Sequence, residues 1–503
     1  MGGWSGIRRE PGRLGAHGAP RLRAASEGSL RRIYPRVYTD DTKSPLEPLV
    51  RRELYGIVAT LVPDALISHR SALESNPTAT GEVFLTGPYR RDIELPGLTL
   101  RIRKGTGARP SDVSIPTATG TARRSSDARA LLENLQISRS TNAGAQANAP
   151  ERRRTIGKAG VEQWLERLLS REGARGLNKV RDQARQVAEE LDLTPQFKRL
   201  DGIIGALLGT RRVKLEHPQT IARTRDTPYD EKRLKLFQVV ADYLHKYPPR
   251  VLSAQAPIDQ NLQAFVESYF SNYIEGTEFE LEEAHQLVVE GRPIKYREDD
   301  SHDVIGTFNS ILESVTKPLF PSDFDAFLLQ LKAWNRQVIF ARVSKRPGEI
   351  KIEPNRAGET LFVSPELVIG TLTKGFELSS AAATPEARAA LAMFVVAECH
   401  PFGDGNGRTA RLAMNLALSQ AGRTRVIVPT AFREDYVLSL KALSHNSNPE
   451  PYGRMLQRTA DFSRWLDYSS QVKCFEQLHT SNALKDPKEG KLTFDFDPTS
   501  VSD

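Results

Sequence analysis

Cysteine is nearly missing from this chain: Cys399 and Cys474 are the only two among 503 residues. That excludes a disulfide framework and a cysteine-rich zinc site, and it suits a reducing cytoplasm, the expected location. Long apolar runs are missing as well. Nowhere do 18 uncharged apolar residues follow one another, so no membrane-spanning segment is expected and no membrane partner either. The opening Met1-Gly2-Gly3-Trp4-Ser5-Gly6 lacks the apolar stretch of a secretory signal, and Gly6 stands where a myristoylation signal needs Ser or Thr. Aromatic residues are 7% of the chain, yet hydrophobic residues reach 39% against 26% charged, which excludes global disorder and a fibrous repeat. The net charge of +8 and a pI near 9.3 suit polyanionic ligands, and equally suit an ordinary solvated surface. At about 100 to 200 residues per domain, this length predicts two to four units.

Periodicity and punctuation divide the chain. Arg31–Thr39 reads as strands around a Pro turn, and Leu46, Leu49, Val50, Leu54, Ile57, Val58 and Leu61 recur at helical spacing. Val83–Thr86, Asp92–Leu95 and Leu98–Ile102 read as strands, so residues 1–103 are expected to form a small α+β region. Residues 104–156, rich in Gly, Ser, Thr, Ala, Arg and Asn, read as a flexible linker carrying at most one helix at Asp127–Leu135. Helical stripes return over 157–225, although Thr210–Asp230 is polar and reads as a linker between halves. The rest is expected to be mainly α: helices over 231–300, a core over 301–480 and a tail over 481–503. Within it, Ile350/Ile352 and Leu361/Phe362/Val363 flank a Pro-Asn-Arg-Ala-Gly turn and predict a β-hairpin at 346–363.

Chemistry concentrates in twelve residues. His400-Pro-Phe-Gly-Asp-Gly-Asn-Gly-Arg-Thr-Ala-Arg411 lies between two apolar helical segments and predicts a loop running into a helix N-terminus. Gly405, Asn406 and Gly407 would leave backbone N–H groups open to an anion there. Arg408 and Arg411, three residues apart, would fork onto successive phosphates, Asp404 is placed to hold a Mg²⁺ ion on phosphate oxygens, and His400 supplies a base of near-neutral pKa.

This stretch resembles the Fic family signature His-Pro-Phe-x-Asp/Glu-Gly-Asn-Gly-Arg-x-x-Arg at every fixed position, and the resemblance extends over roughly residues 255–470. It implies a helical bundle with a hairpin flap, and transfer of AMP from ATP to a Ser, Thr or Tyr hydroxyl of a target protein. On that resemblance His400 is the catalytic base, Asp404 the Mg²⁺ ligand and Gly405-Asn406-Gly407 the anion hole, while Arg408 contacts the β-phosphate and Arg411 the γ-phosphate. Ser271-Asn-Tyr-Ile-Glu275-Gly276, at the end of the amphipathic helix 261–276, is similar to the family's inhibitory pattern, which implies that Glu275 pairs with Arg411. The hairpin, with Gly348, Ile350, Lys351, Ile352, Asn355 and Arg356, would be the flap that holds the target. Removal of AMP, with Glu275 orienting a water molecule, is the alternative enzyme reading.

The N-terminal half is similar to AbiEi-type antitoxins and related regulators, which begin with a DNA-binding winged helix. Residues 1–103 would then be a degenerate winged-helix region, with Arg21, Arg23, Arg31, Arg32 and Arg36 available to phosphates. A DNA-binding regulator with secondary Fic chemistry is the third reading. Ser68 and His69 read as structural, and the oligomeric state stays open, a homodimer included.

Overall fold

The computed structural model describes residues 7–9, 30–35, 37–136, 153–254 and 258–496. The chain divides into two units, Met1–Thr224 and Arg225–Asp503.

In the first unit, β1 (Ile7–Arg9), β2 (Arg31–Tyr34) and β3 (Val37–Thr39) form an antiparallel sheet in the order β1-β3-β2. Arg21, Arg23 and Arg36, named above for DNA, lie outside the described residues. Two helices follow, α1 (Leu46–Arg52) and α2 (Leu54–Leu61), where the periodicity predicts one; the break falls at Glu53. Then come β4 (Leu66–Ile67), α3 (His69–Glu74), β5 (Glu82–Gly87), β6 (Arg91–Leu95), β7 (Leu98–Lys104), β8 (Val113–Thr117), β9 (Gly120–Arg124) and α4 (Asp127–Asn134). The six longer-range strands pair in the order β6-β7-β5-β4-β9-β8, with β5/β7 and β4/β9 parallel. Ile57, Val58, Val83, Leu85, Leu100, Ile102 and Ala122 form the core between this sheet and its helices. Burial of such side chains is what holds the layers together, at about 1.5 to 3 kcal/mol each.

The expected flexible linker over 104–156 is overturned for 104–136. β8 and β9 extend the sheet, and α4 is buried from Ala128 to Asn134. Polar groups fasten this stretch alongside the apolar side chains of Ala122, Leu131 and Leu132. The buried Arg129 guanidinium donates to Asp112 Oδ2 (2.6 Å), Glu133 Oε1 (2.8 Å) and the carbonyls of Thr106 (2.6 Å) and Gly107 (3.0 Å). Residues 137–152 lie outside the described ones. Ser68 and His69 belong to the same buried web: Ser68 Oγ meets Thr86 Oγ1 at 2.8 Å, and His69 N–H donates to Glu133 Oε2 at 2.9 Å.

The unit ends in α5 (Gly157–Glu190), interrupted at Gly173 (φ 65°), then α6 (Thr194–Leu207) and α7 (Pro218–Thr224). The linker expected over 210–230 therefore contains a helix. Leu131, Leu165, Leu177, Leu200 and Ile203 form a second core.

The second unit comprises α8 (Glu231–Lys246), α9 (Gln260–Ile274), α10 (Leu281–Glu290), α11 (Glu298–Thr316), α12 (Phe324–Val338), the two-residue strands β10 (Arg356–Ala357) and β11 (Thr360–Leu361), α13 (Val368–Ser380), α14 (Pro385–Cys399), α15 (Asn406–Gln420), α16 (Arg433–Asn446), α17 (Glu450–Trp465) and α18 (Gln471–Thr480). Helix α14 is apolar all round from Ala389 to Ala397, as the middle of a central helix is, and packs against α8, α13 and α15. Helix α9 packs against α11 and α15. Residues 231–300 and 301–480 thus share one unit rather than forming two. The described part of 481–503 is no loose tail either: Ala483 and Leu492 are buried with Phe462 and Leu466. Among the described residues, no helix is long and apolar enough to cross a membrane.

Candidate active site

The loop 400–405 joins two largely buried helices of the second unit, and its own polar side chains fix its path. His400 ends α14 in the left-handed region (φ 49°) while its N–H still donates to Val396 O at 3.0 Å. Phe402 is fully buried and anchors the loop in the core. The Asn406 side chain then closes the loop on itself, accepting from Phe402 N–H (2.8 Å) and donating to Phe402 O (2.9 Å). Asn335 on α12 holds the far side, donating to Asp404 O at 2.8 Å and accepting from Gly348 N–H at 2.9 Å. Gly405 takes φ 72° as the N-cap of α15, a conformation that favours glycine.

His400 is chemically poised as a base. Nδ1 lies 3.1 Å from Ala397 O, so Nδ1 carries the proton and Nε2 keeps its lone pair. Burial lowers its pKa to about 4, outweighing the opposing pull of that carbonyl, and Lys351 lowers it further. The ring is therefore neutral at pH 7. Phe362 lies flat on it, with ring centroids 3.7 Å apart and planes at 3°.

Past Gly405, the N–H groups of Asn406, Gly407 and Arg408 meet no acceptor among the described residues, which makes the first turn of α15 an anion cradle. A protein carboxylate already leans over it. A Cβ placed on Gly407 would lie 2.1 Å from Glu275 Oε1 and 3.1 Å from Arg411 Nη1. Glu275 Oε1 accepts from Arg411 Nη2 at 2.8 Å. The same guanidinium donates to Ser271 Oγ (3.0 Å), Ser271 O (2.8 Å) and Tyr436 Oη (3.2 Å), and only 4% of its side chain is exposed, against 31% for Glu275. Burial works to raise the Glu275 carboxyl, but Arg411, with Arg408 behind it, outweighs burial and holds the pKa below its usual value. Gly276 follows at φ 91° and ends the helix.

Arg408 is placed differently from Arg411. Its spacing from Arg411 predicts a second phosphate ligand, but the structure buries its side chain and ties Nη1 to Asp303 Oδ2 (2.7 Å) and Asn272 Oδ1 (2.9 Å). Asp303 also accepts from Arg342 Nε at 2.9 Å, so Arg408 clamps α15 to α9 and α11.

The hairpin differs from expectation as well. Ile350 bridges Phe402 rather than the 361–363 strand, and Lys351 N–H donates to Pro401 O at 2.9 Å. Lys351 Nζ is buried against Asn355 Oδ1 (2.6 Å) and Cys399 O (3.3 Å), where burial lowers its pKa to about 8. Asn355 Nδ2 donates to Phe402 O at 2.9 Å. Lys351 and Asn355 thus brace the loop, whereas Ile352 and Arg356 face solvent.

Asp404 is half-buried, and its Oδ1 accepts from Gly405 N–H at 2.7 Å. Among the described residues, no group of three or more His, Cys, Asp or Glu side chains comes together that could cage a metal. A single hard carboxylate beside an anion cradle fits a Mg²⁺ ion that arrives with phosphates and keeps its waters, not a resident metal centre. Sequence reasoning misses Tyr436, Asn272, Asp303, Asn335 and Phe362, since each reaches the loop from a distant element.

Residues 327–418 match the family model described as Fic/DOC family. Among curated proteins, Protein adenylyltransferase fic-1 of Caenorhabditis elegans is 26% identical over 204 residues, 40% of each chain. Protein adenylyltransferase Fic of Drosophila grimshawi is 40% identical over 102 residues, 19% of this chain and 21% of that one. The chain therefore spans about two-fifths or less of the length of these relatives. A solved structure, of a segment of Fic-1 from C. elegans, is 21% identical, covering 66% of this chain and 95% of that one with a TM-score of 0.35.

Proposed function

We propose that this chain, whose residues 327–418 match the Fic/DOC family model and whose loop is intact, transfers AMP from ATP to a Ser, Thr or Tyr hydroxyl of a target protein, held in check by Glu275. The observation that carries the reading is the Glu275 carboxylate bonded to Arg411 and set against Gly407, an acid occupying ground that the loop prepares for phosphate.

In the forward reaction His400 Nε2 takes the proton of the target hydroxyl as its oxygen attacks the α-phosphorus. The bond to the bridging oxygen breaks, and pyrophosphate leaves. The N–H groups of Asn406, Gly407 and Arg408 point at the developing negative charge without having to reorganise. Arg411, once released, is a bidentate donor for the terminal phosphate. Asp404 would hold Mg²⁺, which when bound neutralises phosphate charge and helps align the chain of phosphates. Relatives named protein adenylyltransferase support this chemistry over phosphate transfer.

The test uses ATP labelled on the α- or the γ-phosphate, with the Glu275→Gly variant and a lysate as source of targets. α-label should become covalently attached to protein, γ-label should not, and adding His400→Ala should abolish the attachment, since a positioned base commonly supplies about 10² to 10⁴ in rate. Attachment of γ-label, or full transfer without His400, refutes the assignment. Removal of AMP is the second reading, because the partly exposed Glu275 carboxylate could order a water at the same phosphorus. Release of AMP from a modified target by wild type, lost in Glu275→Gly, would favour it.

A further inference from the structure

Phe362 is the one aromatic ring laid on the catalytic imidazole among the described residues, and the fold takes trouble to keep it there. Its neighbours moor it on both sides. Val363 is fully buried in the core, Phe362 N–H donates to Asn355 O at 3.2 Å, and Thr360 Oγ1 meets His445 Nε2 on α16 at 2.7 Å. The Leu361 carbonyl accepts from Arg233 on α8, which also pairs with Glu398, two residues before His400 on α14. Asn355 in turn binds Phe402 O inside the catalytic loop. The arm that carries Phe362 and the loop that carries His400 are thus stitched into one body.

A His side chain is free to turn about χ2, which is broad for an sp³–sp² torsion. Two constraints remove that freedom here. The Nδ1 contact with Ala397 O selects which edge of the ring faces inward, and a coplanar partner at 3.7 Å fixes the tilt. We infer that Phe362 is a positioning residue for His400: by lying flat on the imidazole it sets the ring plane, and with it the direction of the Nε2 lone pair toward the substrate hydroxyl. The inference rests on the proposed AMP transfer for its kinetic consequence only. Phe362 also withholds water from one face of the ring, whose charged surroundings are Lys351, Glu275 and Asp404. Lys351 belongs to the same 346–363 segment and is held by Asn355, but Phe362 carries no charge, so changing its side chain removes none of the charges around His400.

Two variants separate flatness from bulk. Phe362→Leu keeps most of the volume and loses the plane, whereas Phe362→Trp keeps a plane. In the Glu275→Gly background, Phe362→Leu should lower kcat by about 10- to 10²-fold with KM for ATP unchanged, because a small misalignment of a reacting group is that costly. Phe362→Trp should retain most of kcat. Independently of any activity, histidine-labelled wild-type protein should show by NMR a single Nδ1–H tautomer for His400 and a pKa near 4, its signal assigned by its loss in His400→Ala. In Phe362→Leu the tautomers should mix and the pKa should rise toward the ordinary 6.5. An unchanged tautomer and titration in Phe362→Leu, or a Trp variant as impaired as the Leu variant, overturns the inference. Should the NMR changes appear while no variant transfers AMP, the proposed reaction fails and the positioning role stands.

Discussion

Replacing Glu275 by Gly removes the one carboxylate on Arg411 among the described residues, and the structure sets two magnitudes that differ enough to be told apart. The first concerns stability. Arg411 keeps Ser271 Oγ, Ser271 O and Tyr436 Oη, so its N–H groups stay hydrogen-bonded although the counter-charge is gone. The loss is one charge-assisted hydrogen bond whose acid is 31% exposed and partly screened, about 1 to 2 kcal/mol. Against it, Glu275 caps the C-terminal end of α9, where a negative charge is unfavourable by about 0.3 to 1 kcal/mol. The net cost is about 1 kcal/mol, a Tm shift of a few degrees. The second concerns activity. With Arg411 occupied, the terminal phosphate has no fork to bind and the α-phosphate is not held in line; restoring that alignment should raise AMP transfer by about 10²-fold or more. A softening of 1 kcal/mol changes any local equilibrium only about fivefold, so loosening of the helix cannot mimic such a gain. The assay compares self-labelling from α-labelled ATP in wild type, Glu275→Gly and Glu275→Gly/Arg411→Ala at matched concentrations. The double variant should lose the gain. Equal labelling by wild type and Glu275→Gly, or a double variant as active as the single one, would refute the latch.

Asp404→Ala, in the same activated background, should lose both Mg²⁺-dependent transfer and the thermal shift produced by Mg²⁺ with ATP; unchanged metal dependence would place the ligand elsewhere. The pH profile of that background should stay level from pH 8 down to about 5 and fall only near 4, because burial holds His400 well below 6.5. The sign for stability follows: between 6.5 and about 4 the unfolded chain binds the proton and the folded one does not, so His400 makes the protein less stable as pH falls through that window. His400→Ala should therefore flatten the change in urea unfolding midpoint between pH 7 and pH 5. Asp303→Ala should be the most damaging of these changes, about 3 to 5 kcal/mol by chemical denaturation, because it strands the buried Arg408. A loss under about 1 kcal/mol would show that the clamp is not structural.

How much of this was legible beforehand depends on where the partners of each residue lie in the chain. The loop at 400–411 could be anticipated because its glycines and arginines are spaced as in a loop entering a helix, whereas the pairing of Glu275 with Arg411, 136 residues further along the chain, was implied only by the family resemblance. Arg408 could not. From its own neighbourhood it is one of two equivalent cations, and only Asp303, on a helix far away in sequence, turns it inward. The hairpin is a similar case. Alternation at Ile350 and Ile352 does indicate extended chain, but pattern alone does not say which strand it meets, and the partner is Phe402. Residues 104–136 looked like a linker because β8 is a largely exposed edge strand and the turns around it are tied by the Arg129–Asp112 pair, polar groups that composition counts as solvent-facing. Tyr436 carries no local signal at all.

The double stitch between Asn406 and Phe402 also bears on how this protein ages. Asn followed by Gly is the dipeptide most prone to deamidation, since the small next residue lets its backbone nitrogen attack the side-chain amide and close a succinimide ring. Here that amide is engaged at both ends by the Phe402 backbone, and Gly407 N is committed to helical geometry, so the attack geometry is denied while the loop is closed. Each transient opening of the loop exposes the dipeptide. A carboxylate formed at 406 would lose the donor to Phe402 O and set a fixed negative charge at the mouth of α15, where it would repel a triphosphate. The same two hydrogen bonds that shape the loop therefore set its chemical lifetime.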